Sequence, residues 1–151
     1  MAVSPAKAIL DTSVYLSFLR KNGEIQDLGF LLRPTLLYMS RVIFAELYAG
    51  AKDRFTLWRL ERVYRTFDRL ARVVTPDKLV WFEAGEVLQQ LGLGHGFEAT
   101  GLARITHDVL IALTARKIGA VVFTRNKSDF ERIRELRDFR LRVYEEPERR
   151  A

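Results

Sequence analysis

The chain of 151 residues contains no cysteine. This absence excludes a disulfide framework, a thiolate zinc site and a cysteine nucleophile, and it agrees with the cytoplasmic location that we expect. The first residues lack the charged and then apolar pattern of a signal peptide, and no apolar run is long enough to span a bilayer. The two histidines, His95 and His107, are not at metal-ligand spacing. His95 is interpreted as an exposed loop residue, and His107 either contributes to a site beside Asp108 or simply lies near a helix start.

Acidic residues are fewer than basic ones, 19 against 25, which gives a formal net charge of +6 and a pI of about 9.9. This excess favours polyanions such as RNA or DNA, although an acidic protein partner also fits and many soluble domains are basic without a specific reason. The length and the hydrophobic share of 48% predict one globular domain over residues 1–151, with a core at 7–144 and tails at 1–6 and 145–151.

Short apolar runs alternate with helical patterns along the chain, which predicts a central, mostly parallel sheet with helices on both faces. The predicted strands cover residues 7–10, 35–39, 72–75, 120–123 and 139–144. The main predicted helices begin after Asp11 and cover residues 41–49, 52–70, 77–91, 106–118 and 130–136. Asn22 and Gly23 predict a turn, and residues 24–32 form a weak helical pattern.

Residues 92–101 are rich in glycine, and we predict a flexible loop there. The run Gly92-Leu93-Gly94-His95-Gly96-Phe97 nearly matches a dinucleotide-binding fingerprint. Phe97 replaces the last glycine, and the run follows a helix rather than a strand. We therefore reject a nucleotide loop.

Two acidic residues follow the first two predicted strands. Asp11 ends the first strand and is interpreted as either a helix cap or a site residue, since Thr12 or Ser13 is also a suitable cap. Glu46 lies among apolar residues of the helix that follows the second strand. A lone carboxylate there is costly unless it is paired, protonated or bound to a metal. The alternatives are that Glu46 extends to the solvent-exposed rim or pairs with Arg41.

Two further acids lie near the ends of the unit formed by the helix at 106–118 and the strand at 120–123. Thr106 is the predicted N-cap, which places Asp108 in the first turn. Asp129 lies in the loop after the strand. Since sites in such sheets form at the carboxyl ends of strands, all four acids are expected at one edge.

Four carboxylates in one cleft repel each other and require a compensating cation. Oxygen ligands alone suit Mg²⁺ or Mn²⁺, and such an ion stabilises charge on a phosphate under attack. An acidic metal site on an otherwise basic protein is therefore typical of a nuclease, in which surface arginines hold the flanking backbone.

Four blocks of this chain resemble the signature blocks of PIN-domain proteins, and their order and spacing are most similar to the VapC toxins of VapBC toxin–antitoxin pairs. They are Ile9-Leu10-Asp11-Thr12-Ser13, Ala45-Glu46-Leu47-Tyr48-Ala49-Gly50, Asp108-Val109-Leu110-Ile111-Ala112 and Thr124-Arg125-Asn126-Lys127-Ser128-Asp129-Phe130. The resemblance covers roughly residues 7–144 and implies a three-layer α/β/α PIN-like domain.

The resemblance also implies an activity, a cofactor and partners. It implies a Mg²⁺- or Mn²⁺-dependent endoribonuclease that is a homodimer and is inhibited by a VapB-type antitoxin. The acids carried over as catalytic residues and metal ligands are Asp11, Glu46, Asp108 and Asp129. The carried-over supporting residues are Thr12, Ser13, Thr124 and Asn126.

Other functions were weighed against this one. A haloacid-dehalogenase-type phosphatase requires an aspartate where this chain has Ser13. A structure-specific DNA nuclease of related fold carries large insertions that this chain lacks. The remaining alternatives are a catalytically silent PIN-like module that binds RNA or a partner, and a solitary RNA-processing nuclease.

Overall fold

The computed structural model describes residues 5–21, 33–95 and 99–145. They form a three-layer α/β/α fold around a five-stranded sheet, which confirms the predicted fold class. The strands are β1 (Lys7–Leu10), β2 (Leu36–Ser40), β3 (Val73–Val74), β4 (Ala120–Thr124) and β5 (Arg140–Val143). The helices among these residues are α1 (Thr12–Arg20), α2 (Arg41–Gly50), α3 (Arg54–Arg69), α4 (Lys78–His95), α5 (Ala99–Ile118) and α6 (Ser128–Leu136).

The first strand of the chain lies at the centre of the sheet, whose order is β3-β2-β1-β4-β5. Ile9 pairs with Tyr38 on one side and with Val122 on the other, and all the pairs between these strands are parallel. Ile9 is fully buried, as expected for an apolar strand that helices cover on both faces. The carboxyl ends of the central strands therefore meet at one edge of the sheet.

Polar residues and one glycine define several helix ends. Asp11 caps α1 by accepting a hydrogen bond from Val14 N, and Ser40 caps α2 by accepting one from Val42 N. Gly119 follows α5 with a φ of +69°, a left-handed conformation that costs glycine little. Ser40 thus defines the start of α2, and Gly119 defines the end of α5.

The predicted start of α5 was wrong. The helix begins at Ala99, and Thr106 is an interior residue whose hydroxyl donates to Leu102 O across 2.7 Å. A threonine hydroxyl can be satisfied by the carbonyl four residues earlier, so a residue suited to a cap does not require one. Ile105 is buried, which ties the extra turns of the helix to the core.

The flexible loop predicted at residues 92–101 was also largely wrong. Helix α4 continues through His95 and α5 begins at Ala99, while residues 96–98 lie outside the described part of the chain. An added Cβ on Gly92 would contact Leu102 at 3.6 Å, so this glycine faces α5. Each helical glycine costs only about 1 kcal/mol, which packing between two helices readily exceeds.

Apart from α4 and α5, the predicted strands and helices begin and end within two residues of the observed ones. The turn at Asn22 and Gly23, the weak helical pattern at 24–32 and most of the two predicted tails lie outside the described residues. Within the described ranges, no helix combines the length and the apolar character needed to cross a membrane.

Candidate active site

Asp11 lies at the sheet edge where β1 and β4 end. Its backbone N–H donates to Phe123 O across 2.9 Å, which continues the pairing of the two strands by one residue. Its side chain then caps α1. The two interpretations of Asp11 are therefore compatible in space, because the cap places its carboxylate at the carboxyl edge of the sheet.

Three donors hold the Asp11 carboxylate. Ser13 Oγ and Val14 N donate to Oδ1, and Thr124 Oγ1 donates to Oδ2 across 2.6 Å. Burial raises the pKa of Asp11, and these hydrogen bonds offset part of that rise because they favour the charged form. The side chain is thus oriented by partners from both α1 and β4.

Asp108 is the carboxylate whose pKa the other three acids help to raise. Burial is the largest cause of its raised pKa of about 7, and the charges of Asp11, Asp129 and Glu46 add to that rise in this order. Repulsion of this kind requires that all three carboxylates lie near Asp108. Residues from four separate segments are therefore brought to one region, although Asp108 lies in the interior of α5 and not in its first turn.

Both oxygens of the Glu46 carboxylate have protein partners. Thr12 Oγ1 donates to Oε2 across 2.7 Å, and His107 Nδ1 lies 2.6 Å from Oε1. The alternative pairing with Arg41 was wrong, since Arg41 Nε donates instead to Tyr64 Oη. The sequence pointed to His107 only through its position beside Asp108, and the contact with Glu46 depends on how α2 and α5 pack.

The loop after β4 is organised by Thr124 and Asn126. Asn126 N donates to Thr124 Oγ1 across 3.1 Å, and Asn126 Oδ1 accepts a hydrogen bond from Ser128 Oγ. Asp129 then lies in the first turn of α6, where Arg132 Nη1 contacts its Oδ1 at 3.1 Å. The loop therefore ends two residues earlier than predicted, and Asp129 is held by a helix.

Arg125 also lies at this edge, although the sequence alone did not identify it as a site residue. Its backbone N–H donates to Ser13 Oγ across 3.0 Å, and its guanidinium donates to Ser17 Oγ. These contacts join the loop after β4 to the first turns of α1. Its position directly after a strand end was the only feature of the sequence that pointed to it.

The donor set at this edge has the chemistry of a site for a hard divalent cation, since its ligands are carboxylate oxygens. No hydrogen-bond donor from the described residues reaches the Asp108 carboxylate, while like charges surround it. Within the same ranges, no three acidic or histidine side chains are already arranged around one ion-sized point. Each carboxylate oxygen has two lone pairs, so the existing hydrogen bonds leave capacity for a cation.

Comparison with protein families places this chain in a known family. The PIN domain model matches residues 8–136, which is most of the chain. The chain therefore belongs to the PIN domain family. A search of curated proteins found no match.

Solved structures of VapBC proteins are similar in fold. VapBC2 from Rickettsia felis, bound to a promoter DNA fragment, matches with a TM-score of 0.66 and 20% identity over 92% of this chain and 99% of that one. DNA-bound VapBC from Salmonella typhimurium matches with a TM-score of 0.65 and 24% identity over 91% and 98%. VapBC-5 from Mycobacterium tuberculosis, of the VapBC toxin–antitoxin family, matches with a TM-score of 0.53 and 20% identity over 94% and 100%.

Proposed function

We propose that this protein is a Mg²⁺- or Mn²⁺-dependent endoribonuclease and the toxin component of a VapBC-type toxin–antitoxin pair, with one PIN-like domain whose core is residues 7–144. The observation that carries the proposal is the environment of Asp108. Burial raises its pKa, and the charges of Asp11, Asp129 and Glu46 add to that rise from three other segments of a PIN-family chain. Such concentrated negative charge is costly unless a cation is part of the working site.

The four acids Asp11, Glu46, Asp108 and Asp129 would hold the ion in this proposal. A bound Mg²⁺ or Mn²⁺ would supply positive charge at the scissile phosphate and favour deprotonation of the attacking water. The chain itself orients the acids: Thr124 and Ser13 hold Asp11. The basic surface would bind the flanking RNA backbone.

The proposed partners follow from the family and the solved structures. VapBC structures of similar fold include toxin–antitoxin complexes, which supports a VapB-type antitoxin for this chain. We further propose a homodimer that acts in the cytoplasm. Co-expression with the product of an adjacent small open reading frame tests the antitoxin. Growth arrest that this product does not relieve would contradict the toxin–antitoxin pairing.

A cleavage assay tests the nuclease. RNA and DNA of the same sequence are incubated with the protein in Mg²⁺, in Mn²⁺ and in excess chelator. We expect RNA cleavage that the chelator abolishes. Asp11→Asn and Asp108→Asn should each lower the rate by a factor of about 100 or more, as loss of a main catalytic group does.

Asp138→Asn is the matched control, because it removes one negative charge from an exposed position between α6 and β5. This variant should cleave RNA at the normal rate. Full activity of Asp11→Asn, or cleavage that persists in chelator, would contradict the proposed site. RNA binding without any metal-dependent cleavage would instead identify a silent binding module.

A further inference from the structure

The outer face of α3 exposes two large aromatic rings. Phe55 is 63% exposed and Trp58 is 51% exposed, and their ring centroids lie 6.2 Å apart with an interplanar angle of 25°. Leu60 is buried on the opposite face, so the helix is already anchored in the core without these rings. Burial in this chain therefore does not explain the two aromatic side chains.

Arginines surround the rings and continue along the helix. Helix α3 contains five arginines and only two acids, Glu61 and Asp68. Its formal charge is therefore +3, within a chain total of +6. One exposed stripe has helical spacing and consists of Arg54, Trp58, Arg62, Arg65 and Arg69. At 1.5 Å per residue it extends for about 22 Å.

Two guanidinium groups lie over the aromatic rings. Arg59 Cζ lies 5.6 Å from the ring centroid of Phe55, and Arg62 Cζ lies 4.8 Å from that of Trp58. Each guanidinium thus brings a positive charge to one face of an aromatic side chain that is still more than half exposed. Bases stack on such surfaces while arginines neutralise the adjacent phosphates.

Contacts connect this stripe to the helix that carries Glu46. Tyr48 follows Glu46 on α2, and its hydroxyl donates to Glu61 Oε1 on α3 across 3.1 Å. Trp58 lies about one helical turn before Glu61. The helix that carries the stripe therefore packs against the helix that carries Glu46.

We propose that this stripe, together with the neighbouring Phe55, binds a single-stranded RNA segment. Bases stack on the two rings, and phosphates contact the arginines. The inference rests on the proposed nuclease function and adds a binding site that lies outside the acidic cluster. Single-stranded RNA fits better than a folded protein partner, because the charges are spaced along the helix beside exposed ring faces.

Helix α4 provides an internal control. Trp81 is 54% exposed, slightly more than Trp58, but it is followed on its own helix by Glu83 and Glu86. An exposed tryptophan is therefore present on a helix that contains no arginine of its own. If exposure alone determined RNA binding, the two tryptophans would behave alike.

Tryptophan fluorescence tests the proposal, because the chain contains only two tryptophans. Trp81→Phe leaves Trp58 as the reporter, and Trp58→Phe leaves Trp81. Both variants are made in the Asp11→Asn background and titrated in chelator with an oligouridine of about 12 nucleotides, a length within the usual site size. We expect the oligouridine to quench Trp58 emission and to leave Trp81 emission unchanged.

Affinity measurements extend the test. Trp58→Ala should weaken oligouridine binding about 5- to 100-fold, the usual effect of losing one base stack, while Trp81→Ala should have no effect. Arg62→Ala should reduce the salt dependence of binding by about 0.7 in the slope of log K against log salt. Arg134→Ala removes an exposed charge from α6 and should leave that slope unchanged.

Equal quenching of both tryptophans, or none of Trp58, would overturn the proposal. Quenching of Trp58 by an acidic apolar peptide but not by oligouridine would assign the stripe to a protein partner and would also overturn it. The binding test is independent of cleavage. A chain that cleaves no RNA but shows quenching only at Trp58 would refute the nuclease and leave the RNA-binding stripe intact.

Discussion

Thr124 Oγ1 donates a hydrogen bond of 2.6 Å to Asp11 Oδ2, although the two residues lie 113 positions apart in the chain. Thr124 is fully buried at the end of β4, and Asp11 directly follows the neighbouring strand. The hydroxyl therefore orients the Asp11 carboxylate and helps to stabilise its charged form. This hydrogen bond is one of the contacts by which the sheet positions the proposed site.

Replacing Thr124 by valine should weaken both activity and stability. The substitution keeps the shape but leaves Asp11 without one donor, which should cost about 1 to 3 kcal/mol in the free energy of unfolding. The pKa of Asp11 should rise further, because this hydrogen bond lowers it. RNA cleavage should fall about 10- to 100-fold, the usual effect of losing a group that orients a metal ligand.

Urea denaturation and cleavage rates check this prediction. Thr124→Ser retains the hydroxyl and should preserve most of the activity. A valine variant that cleaves RNA at the normal rate would show that Asp11 does not need this orientation.

Asp108 should make the metal-free protein less stable as the pH rises from about 4 to about 7. Its folded pKa of about 7 lies above the ordinary value of 3.8, so the folded state binds the proton more tightly than the unfolded state does. The stabilising effect of that proton is complete below pH 4 and is lost as the pH rises through 7. The loss should be about 2 to 4 kcal/mol after allowance for solvent screening.

Asp108→Asn should therefore have a flatter stability profile than the unmodified chain, measured by urea denaturation between pH 4 and pH 8 in chelator. Added Mg²⁺ should restore the stability of the unmodified chain at pH 8 and should have little effect on the variant. Asp138→Asn serves as the control. If stability depends on pH in the same way for the unmodified chain and for Asp108→Asn, the pKa of Asp108 is not raised in the folded protein.

Two glycines should respond oppositely to alanine. Gly119 has a φ of +69°, so Gly119→Ala should destabilise the fold by about 1 to 2 kcal/mol although an added Cβ meets nothing within 4 Å. Gly85 lies exposed inside α4, also with open space around it. Gly85→Ala should stabilise the fold by about 0.5 to 1 kcal/mol, because alanine is the better helix former.

Thermal and urea denaturation of the two variants provide the comparison. Since packing is equally open at both positions, a difference in sign isolates the backbone conformation as the cause. A stable Gly119→Ala protein would mean that the chain after α5 does not require a left-handed residue.

Tyr15→Phe should leave stability unchanged or raise it by about 1 kcal/mol. Tyr15 is buried in the core, and its hydroxyl has no hydrogen-bond partner among the described residues. Burial alone accounts for its raised pKa. Removing an unsatisfied buried hydroxyl relieves a desolvation cost.

Tyr64→Phe is the matched comparison for Tyr15→Phe, because the Tyr64 hydroxyl accepts a hydrogen bond from Arg41 Nε. Both are measured by urea denaturation. A loss of more than about 1 kcal/mol in Tyr15→Phe would reveal a partner for that hydroxyl.

Much of the fold was predictable, because strand and helix periods are local properties of the chain. The runs that became β1 and β4 were recognisable from apolar length and from the turn signals around them. Thr106 shows the limit of this reasoning. Its residue type suits a cap, and only the packing of α5 against α4 shows that the helix starts at Ala99.

The sequence by itself determined the alternation of strands and helices and the four acids that share the carboxyl edge of the sheet. Parallel topology sends all strand ends of one kind to one side, which predicts Asp11 at this edge, whereas Asp108 lies in the interior of α5 and not in the predicted first turn. Only the tertiary structure decided that His107 contacts Glu46, that Thr124 holds Asp11 and that three carboxylates act on Asp108. These contacts depend on distances between segments that are far apart in the chain, and a local pattern contains no information about such distances.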